Sequence, residues 1–271
     1  MFAAASSIAL GLLFVVFLGV GLLIYLALAW QVARREGAPP EPPRVTKTFG
    51  LPEAFLAVLL VLFLLTNITA AHGRSSVQLT DRDLIANLLV TLFVICFVGG
   101  YLKLFGKDID ALAGFSRTSL KRALSTGTVL LIAATPLILL AEVITQNLFG
   151  GGSSRQEIVD LFNTSRTLQQ RVLIIVLAVV VAPIAEEFIF RFFIYGVVRR
   201  YGGIALGLVF NAALFAAAHN HLPSAAPLFV LGACFTLAYE WSGSILVSMS
   251  MHALFNSVQL VLLAFPSLSQ Q

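Results

Sequence analysis

Apolar residues fill this chain in long unbroken blocks, and its polar positions collect in the gaps between them. The blocks cover residues 8–33, 54–71, 84–104, 129–144 with an extension back towards 120, 172–198, 204–218, 225–239 and 245–265. Against a spanning length of about 20 residues, they predict an all-α polytopic membrane helix bundle of about eight transmembrane helices. The first block starts almost at the initiator, has no Lys or Arg ahead of it and exceeds the ~7 to 15 apolar residues of a signal-peptide core, so it reads as a retained helix. After it comes the proline-rich stretch EGAPPEPPR, residues 36–44. Proline at that density cannot continue a helix and forms a semi-rigid spacer, which leaves the first helix peripheral. Residues 153–170 are polar, with Ile158, Leu161 and Phe162 at i, i+3, i+4 spacing, predicting an amphipathic helix at the membrane interface. The chain thus divides into 1–48 (helix and linker), 49–152 (helical membrane region without a recognised motif) and 153–271 (the part that carries chemistry).

Composition agrees: 59% of residues are hydrophobic and 11% charged, far below the roughly 25% charge of a soluble domain. The expected setting is a multi-pass protein of a bacterial plasma membrane. The net charge of +4 does not imply a nucleic-acid partner, because the cations sit in short loops at helix ends, where topology and the lipid bilayer account for them. Arg34, Arg35, Arg44 and Lys47 follow the first helix, Lys103, Lys107, Arg117, Lys121 and Arg122 the third, and Arg199 and Arg200 the fifth. This asymmetry places the first, third and fifth loops in the cytoplasm and both termini outside. Cys96 and Cys234 fall inside predicted helices without paired spacing, and read as small core residues.

Three helices of the last region carry polar stripes. Glu187 and Arg191 are four residues apart with the acid first, the favourable order on one helix face, and Tyr195 and Arg199 continue the stripe. Glu186 has no such partner and points about 100° away, so the two carboxylates have different neighbours. Pro183 predicts a kink just before them. The next helix carries Gly203, Gly207, Asn211, Phe215 and His219 at four-residue intervals, opening with G-x-x-x-G spacing for close helix approach. The last carries Ser244, Ser248, His252 and Asn256 in the same way. Each polar residue alone is explained as well by helix packing as by function. Together, a carboxylate, two imidazoles and an amide from different helices point to one wet cavity. His221, Glu142 and Glu240 lie at predicted helix ends, where water accounts for them.

A carboxylate taken out of water becomes a better base, an imidazole beside it helps to deprotonate water, and a second imidazole with an amide can stabilise an oxyanion. That set suits amide hydrolysis by activated water. No serine lies in a G-x-S-x-G context and neither cysteine has a polar partner, so no covalent nucleophile is evident. Zinc held by Glu186, His219 and His252 is the nearest rival, although H-E-x-x-H is absent; the leading expectation is a site with no metal and no cofactor.

EEFIFR (186–191), FAAAH (215–219) and HALFN (252–256) resemble, in order and spacing, the E-E-x-x-x-R, F-x-x-x-H and H-x-x-x-N/B motifs of the CAAX prenyl protease and bacteriocin-processing family, also called the Abi family. The resemblance covers roughly residues 156–263. It implies a multi-helix intramembrane protease in which Glu186 activates water with His219, His252 and Asn256 form the oxyanion side, and Glu187 and Arg191 brace the site. It also implies a peptide or protein substrate, lipidated or membrane-associated and cut near its C-terminus. The chain departs from many bacterial relatives at Arg191-Phe192, where they have R-G. Two other classes remain open from sequence: a catalytically silent scaffold or bacteriocin immunity protein, and a proton-coupled transporter, which the lack of an inverted repeat weakens.

Overall fold

The computed structural model describes residues 2–36, 48–72, 81–149 and 167–265. The helices are α1 (Phe2–Glu36), α2 (Leu51–His72), α3 (Asp81–Leu104), the short α4 (Ile109–Ala113) and α5 (Leu120–Phe149). A long run then passes through α6 (Leu168–Val176), π-helical turns at Leu177–Val181, α7 (Ala182–Glu186), further π-helical turns at Glu187–Tyr195 and α8 (Gly196–Ala218). α9 (Ala225–Ser242) and α10 (Ile245–Ala264) complete the bundle. No strand occurs among the described residues. The proline-rich spacer and the amphipathic stretch around Ile158, Leu161 and Phe162 lie outside them.

Seven helical runs among the described residues are long and apolar enough to cross a membrane; the protein is a multi-pass integral membrane protein. One run, Leu168–Ala218, has 51 residues. Straight, it would be roughly 76 Å long at the rise of an α-helix, far beyond the ~30 Å hydrocarbon core. It breaks at Gly203, whose φ of 79° and ψ of 175° are essentially confined to glycine. Past the break the chain folds back: a Cβ added at Gly207 would stand 3.0 Å from the Tyr195 ring and 3.3 Å from the Arg199 backbone nitrogen. The run is therefore two helical segments joined by a sharp turn at Gly203. This corrects the G-x-x-x-G reading: Gly203 makes the turn, and Gly207 alone of the two provides the close approach.

The position of the kink expected at Pro183 lies between two sets of π-helical turns. Backbone dihedrals stay helical across Val181, Ala182, Glu186 and Glu187, and the π-helical turns on both sides take up the disturbance, with the Ala182 N–H donating to the Leu177 carbonyl. Such turns widen a helix locally and reposition its side chains. Here they flank the two glutamates.

α1 is less peripheral than its linker suggested. Its first half exposes Leu10, Leu12, Leu13, Val15 and Val16, but Tyr25, Leu28 and Val32 are buried. The Tyr25 hydroxyl donates to the Leu130 carbonyl of α5 at 2.9 Å, and Gly21 abuts the Ala133 carbonyl so closely that any side chain would collide. Arg35 donates to the Trp241 carbonyl at 2.8 Å, which ties the end of α1 to the end of α9. Arg35, Arg117, Arg199 and Arg200, from the first, third and fifth basic clusters, line one cavity at this end of the bundle. Cys234 is buried as expected, whereas Cys96 is exposed on α3, on a face that lipid covers without penalty.

Candidate active site

The two glutamates occupy different surroundings, as their angular separation requires. The Glu187 side chain is 0% exposed and that of Glu186 28% exposed. Arg191, also 0% exposed, places Nη1 3.0 Å from Glu187 Oε1. The same oxygen is 2.9 Å from Nδ1 of His252, so Glu187 joins a cation on its own helix to an imidazole on α10.

A fully buried guanidinium needs more than one carboxylate to offset its desolvation. Arg191 lies in an aromatic cage, its Cζ 4.1 Å from the Phe215 ring centroid, 5.2 Å from Phe235 and 5.9 Å from Phe190. Cation–π attraction reaches about 2 kcal/mol when desolvated. Phe215 also meets the His219 ring edge-on at 4.6 Å, and Phe235 lies over His252 at 5.0 Å with 31° between the planes. The phenylalanine of FAAAH is therefore the packing hub between the arginine and the histidines. Phe235, on α9 and outside every motif, is a site neighbour that sequence reasoning missed, since one more phenylalanine among 22 gives no signal.

The hydrogen bonds of the two histidines fix which nitrogen each offers. His219 Nδ1 is 2.8 Å from the Phe215 carbonyl, which can only accept, so Nδ1 carries the hydrogen. His252 Nδ1 faces the Glu187 carboxylate and does the same. In their neutral forms both rings then present an unprotonated Nε2, and both Nε2 atoms face Glu186. The distances to Glu186 Oε2 are 3.9 Å from His219 and 3.8 Å from His252, too long for direct hydrogen bonds. Glu186 Oε2 is shielded from solvent and has no hydrogen-bond partner among the described residues. Among the described residues no group of three or more His, Cys, Asp or Glu is arranged to hold a metal ion.

Asn256, one turn beyond His252, donates from Nδ2 to the Ala178 carbonyl at 2.7 Å. Ala178 lies in the π-helical turns before the glutamates, so this bond ties α10 to the segment that carries them. Sequence placed Asn256 on the oxyanion side; one of its two N–H donors is committed to the backbone instead.

The lower parts of the stripes serve packing, apart from Ser248, whose hydroxyl also lies beside the Glu187 carboxylate. Asn211 is fully buried and donates to Thr236 at 2.8 Å, while Ser244 and Ser248 are fully buried, with Ser248 bonded to the Ile245 carbonyl. Glu240 was assigned to water, and that is corrected. Its side chain is 11% exposed and 2.8 Å from Arg199, and it accepts from the Tyr195 hydroxyl at 2.8 Å. The four-residue spacing of Tyr195 and Arg199 was the available signal for a shared partner. Phe192 is fully buried with its ring 5.7 Å from Phe49 and 5.0 Å from Phe188.

Residues 168–258, which contain all three motifs, match the family model described as Rce1-like, type II CAAX prenyl endopeptidase. No curated protein and no solved structure matches the chain. The family that the motifs resemble and the family whose model matches residues 168–258 are one and the same, the Rce1-like CAAX-type intramembrane proteases.

Proposed function

We propose that the site hydrolyses a peptide bond with a water molecule activated by Glu186, and that the unit carrying this chemistry is the region from residue 153 onward. The observation that carries the reading is that Glu186 Oε2 stands within 3.9 Å of two imidazole nitrogens while Glu187 is engaged by Arg191 and His252. Glu186 is the carboxylate with a coordination position to offer. It takes a proton from a water that His219 holds through its unprotonated Nε2, and gives that same proton to the leaving amine. His252 is oriented through Nδ1 by Glu187, so it stabilises the oxyanion from Nε2 once it carries a second proton, assisted by the N–H of Asn256 that Ala178 does not use. Arg191 keeps Glu187 in place. The substrate is a peptide near the C-terminus of a lipidated or membrane-associated protein in a bacterial plasma membrane.

A second reading has an observation of its own. Histidines that bind zinc usually anchor their other ring N–H on a carboxylate or a backbone carbonyl, as His252 and His219 do. The spacings of 3.8 and 3.9 Å are wider than the roughly 3.4 Å between tetrahedral ligands bonded at 2.0–2.1 Å. The reading requires the three side chains to draw closer.

Purified protein in proteoliposomes, given a C-terminally prenylated peptide and its unprenylated counterpart before and after exhaustive chelation, tests both. Cleavage that survives in metal-free protein is expected. Near-stoichiometric zinc whose removal abolishes cleavage and whose return restores it would replace the water-only mechanism with the zinc one. Failure of the well-folded protein to cleave either peptide would favour the silent scaffold.

A further inference from the structure

At the end of the bundle where the basic loops meet, a polar cavity of about 570 Å³ opens, lined by Arg35, Arg117, Arg199, Arg200, Tyr195 and Glu240 among others. By helical rise it lies about 20 Å from Glu186 along the shared helix, and the mechanism above makes no use of it. Its volume falls within the ~300 to 1,000 Å³ of ligand pockets. Arginines from three distant parts of the chain line it: the end of α1, the turn Phe115–Arg117 between α4 and α5, and α8.

Among the described lining residues the charges do not cancel. Glu240 is the one acidic residue among the lining residues, and its two oxygens are taken by Arg199 and the Tyr195 hydroxyl. Arg35 is directed to the Trp241 carbonyl at the C-terminal end of α9. Arg117 and Arg200 form no ion pair with an acid among the described residues. Arg117 is seated by the backbone. Gly114 and Gly243 have φ of 70° and 66°, and a Cβ at Gly243 would stand 2.6 Å from Arg117 Nη1. The end of the Arg117 side chain lies beside the turn at Gly243, whose positive φ favours glycine.

We propose that this cavity binds a phosphate-bearing anion through Arg117 and Arg200. The planar fork of a guanidinium matches phosphate oxygens in bidentate fashion, and two such forks without a carboxylate of their own leave a net positive cavity at the membrane boundary. The same chemistry fits the phosphodiester of an anionic phospholipid or a free phosphate compound. The inference is independent of the reading of Glu186.

The test follows the thermal unfolding midpoint of the full-length protein in detergent micelles as dioleoylphosphatidylglycerol, dioleoylphosphatidylcholine or sodium pyrophosphate is titrated in. A saturable rise is expected with an anionic probe and not with phosphatidylcholine, and in R117Q/R200Q the apparent affinity falls at least about tenfold, since each pair of charge-assisted bonds lost is worth that much. Lys121→Gln with Arg122→Gln, which removes two exposed cations at the start of α5, leaves the affinity unchanged. A response to phosphatidylglycerol alone identifies a lipid headgroup, and one to pyrophosphate a soluble phosphate. The proposal is overturned if neither anion raises the midpoint, if the rise survives in R117Q/R200Q, or if the control pair lowers it equally. Should the double variant not fold, R117Q and R200Q are read singly, each expected to weaken binding.

Discussion

α3 and α9 are both apolar enough to cross a bilayer, yet only 11% of the α3 window is buried inside the protein against 56% for the window that contains α9. α3 turns Leu89, Val90, Phe93 and Phe97 outward, where hydrocarbon tails are as apolar as the side chains and exposure costs nothing. α9 turns Phe235 and Thr236 inward at 0% exposure, one against His252 and Arg191, the other bonded to Asn211. In a membrane, then, the hydrophobic effect places both helices but specifies only the one whose polar and aromatic groups have partners.

That contrast can be broken most sharply at Glu186. Glu186→Gln keeps the shape and removes the base, so cleavage of an accepted peptide is expected to fall by roughly 10² to 10⁴ with an unchanged thermal midpoint. A fully active variant would remove Glu186 from the mechanism.

Arg191→Ala comes next. It leaves Glu187 buried without its cation and empties the aromatic cage, at a cost of about 3 to 5 kcal/mol for a broken buried pair. Loss of folded yield and a lowered midpoint should accompany loss of cleavage; an inactive variant of unchanged stability would point to a direct role on substrate.

Much of this was legible beforehand, for identifiable reasons. Block length gave a multi-pass helix bundle, because spanning segments obey a length rule; about eight spans were expected and seven runs among the described residues are long and apolar enough. The three motifs lay at fixed offsets on helices, so the pairing of Glu187 with Arg191 followed from helical geometry, while Glu186 beside His219 was what the family resemblance implied. What escaped depends on a helix's neighbours. Lipid-facing and core-facing positions are equally apolar, so Cys96 could not be told from Cys234. A glycine on a helical stripe looks alike whether it packs, as Gly207 does, or turns the chain, as Gly203 does. Glu240 sits at a helix end in sequence, and only the fold-back at Gly203 shows how it meets both Tyr195 and Arg199.

A smaller effect tests the packing part of the stripes. Asn211→Ala removes the bond to Thr236 and should cost about 1 kcal/mol, the order measured for hydrogen bonds between membrane helices, with catalysis retained. The Thr236 hydroxyl keeps its bond to the Gly232 carbonyl at 2.8 Å, which limits the loss. Smallest of all, exchanging the lipid-facing Leu89 or Phe93 of α3 for another apolar residue should shift stability by no more than about 0.5 kcal/mol. A large drop there would show that this face meets protein rather than lipid.

The pairing of Glu187 with Arg191 also bears on how the chain is made. Phe215, Phe235 and His252 are synthesised after the arginine, so when the segment around residue 187 first enters the membrane none of them is available. The partner four residues away is. Cancellation of charge within a single turn lets this helix enter lipid before the rest of its surroundings exist.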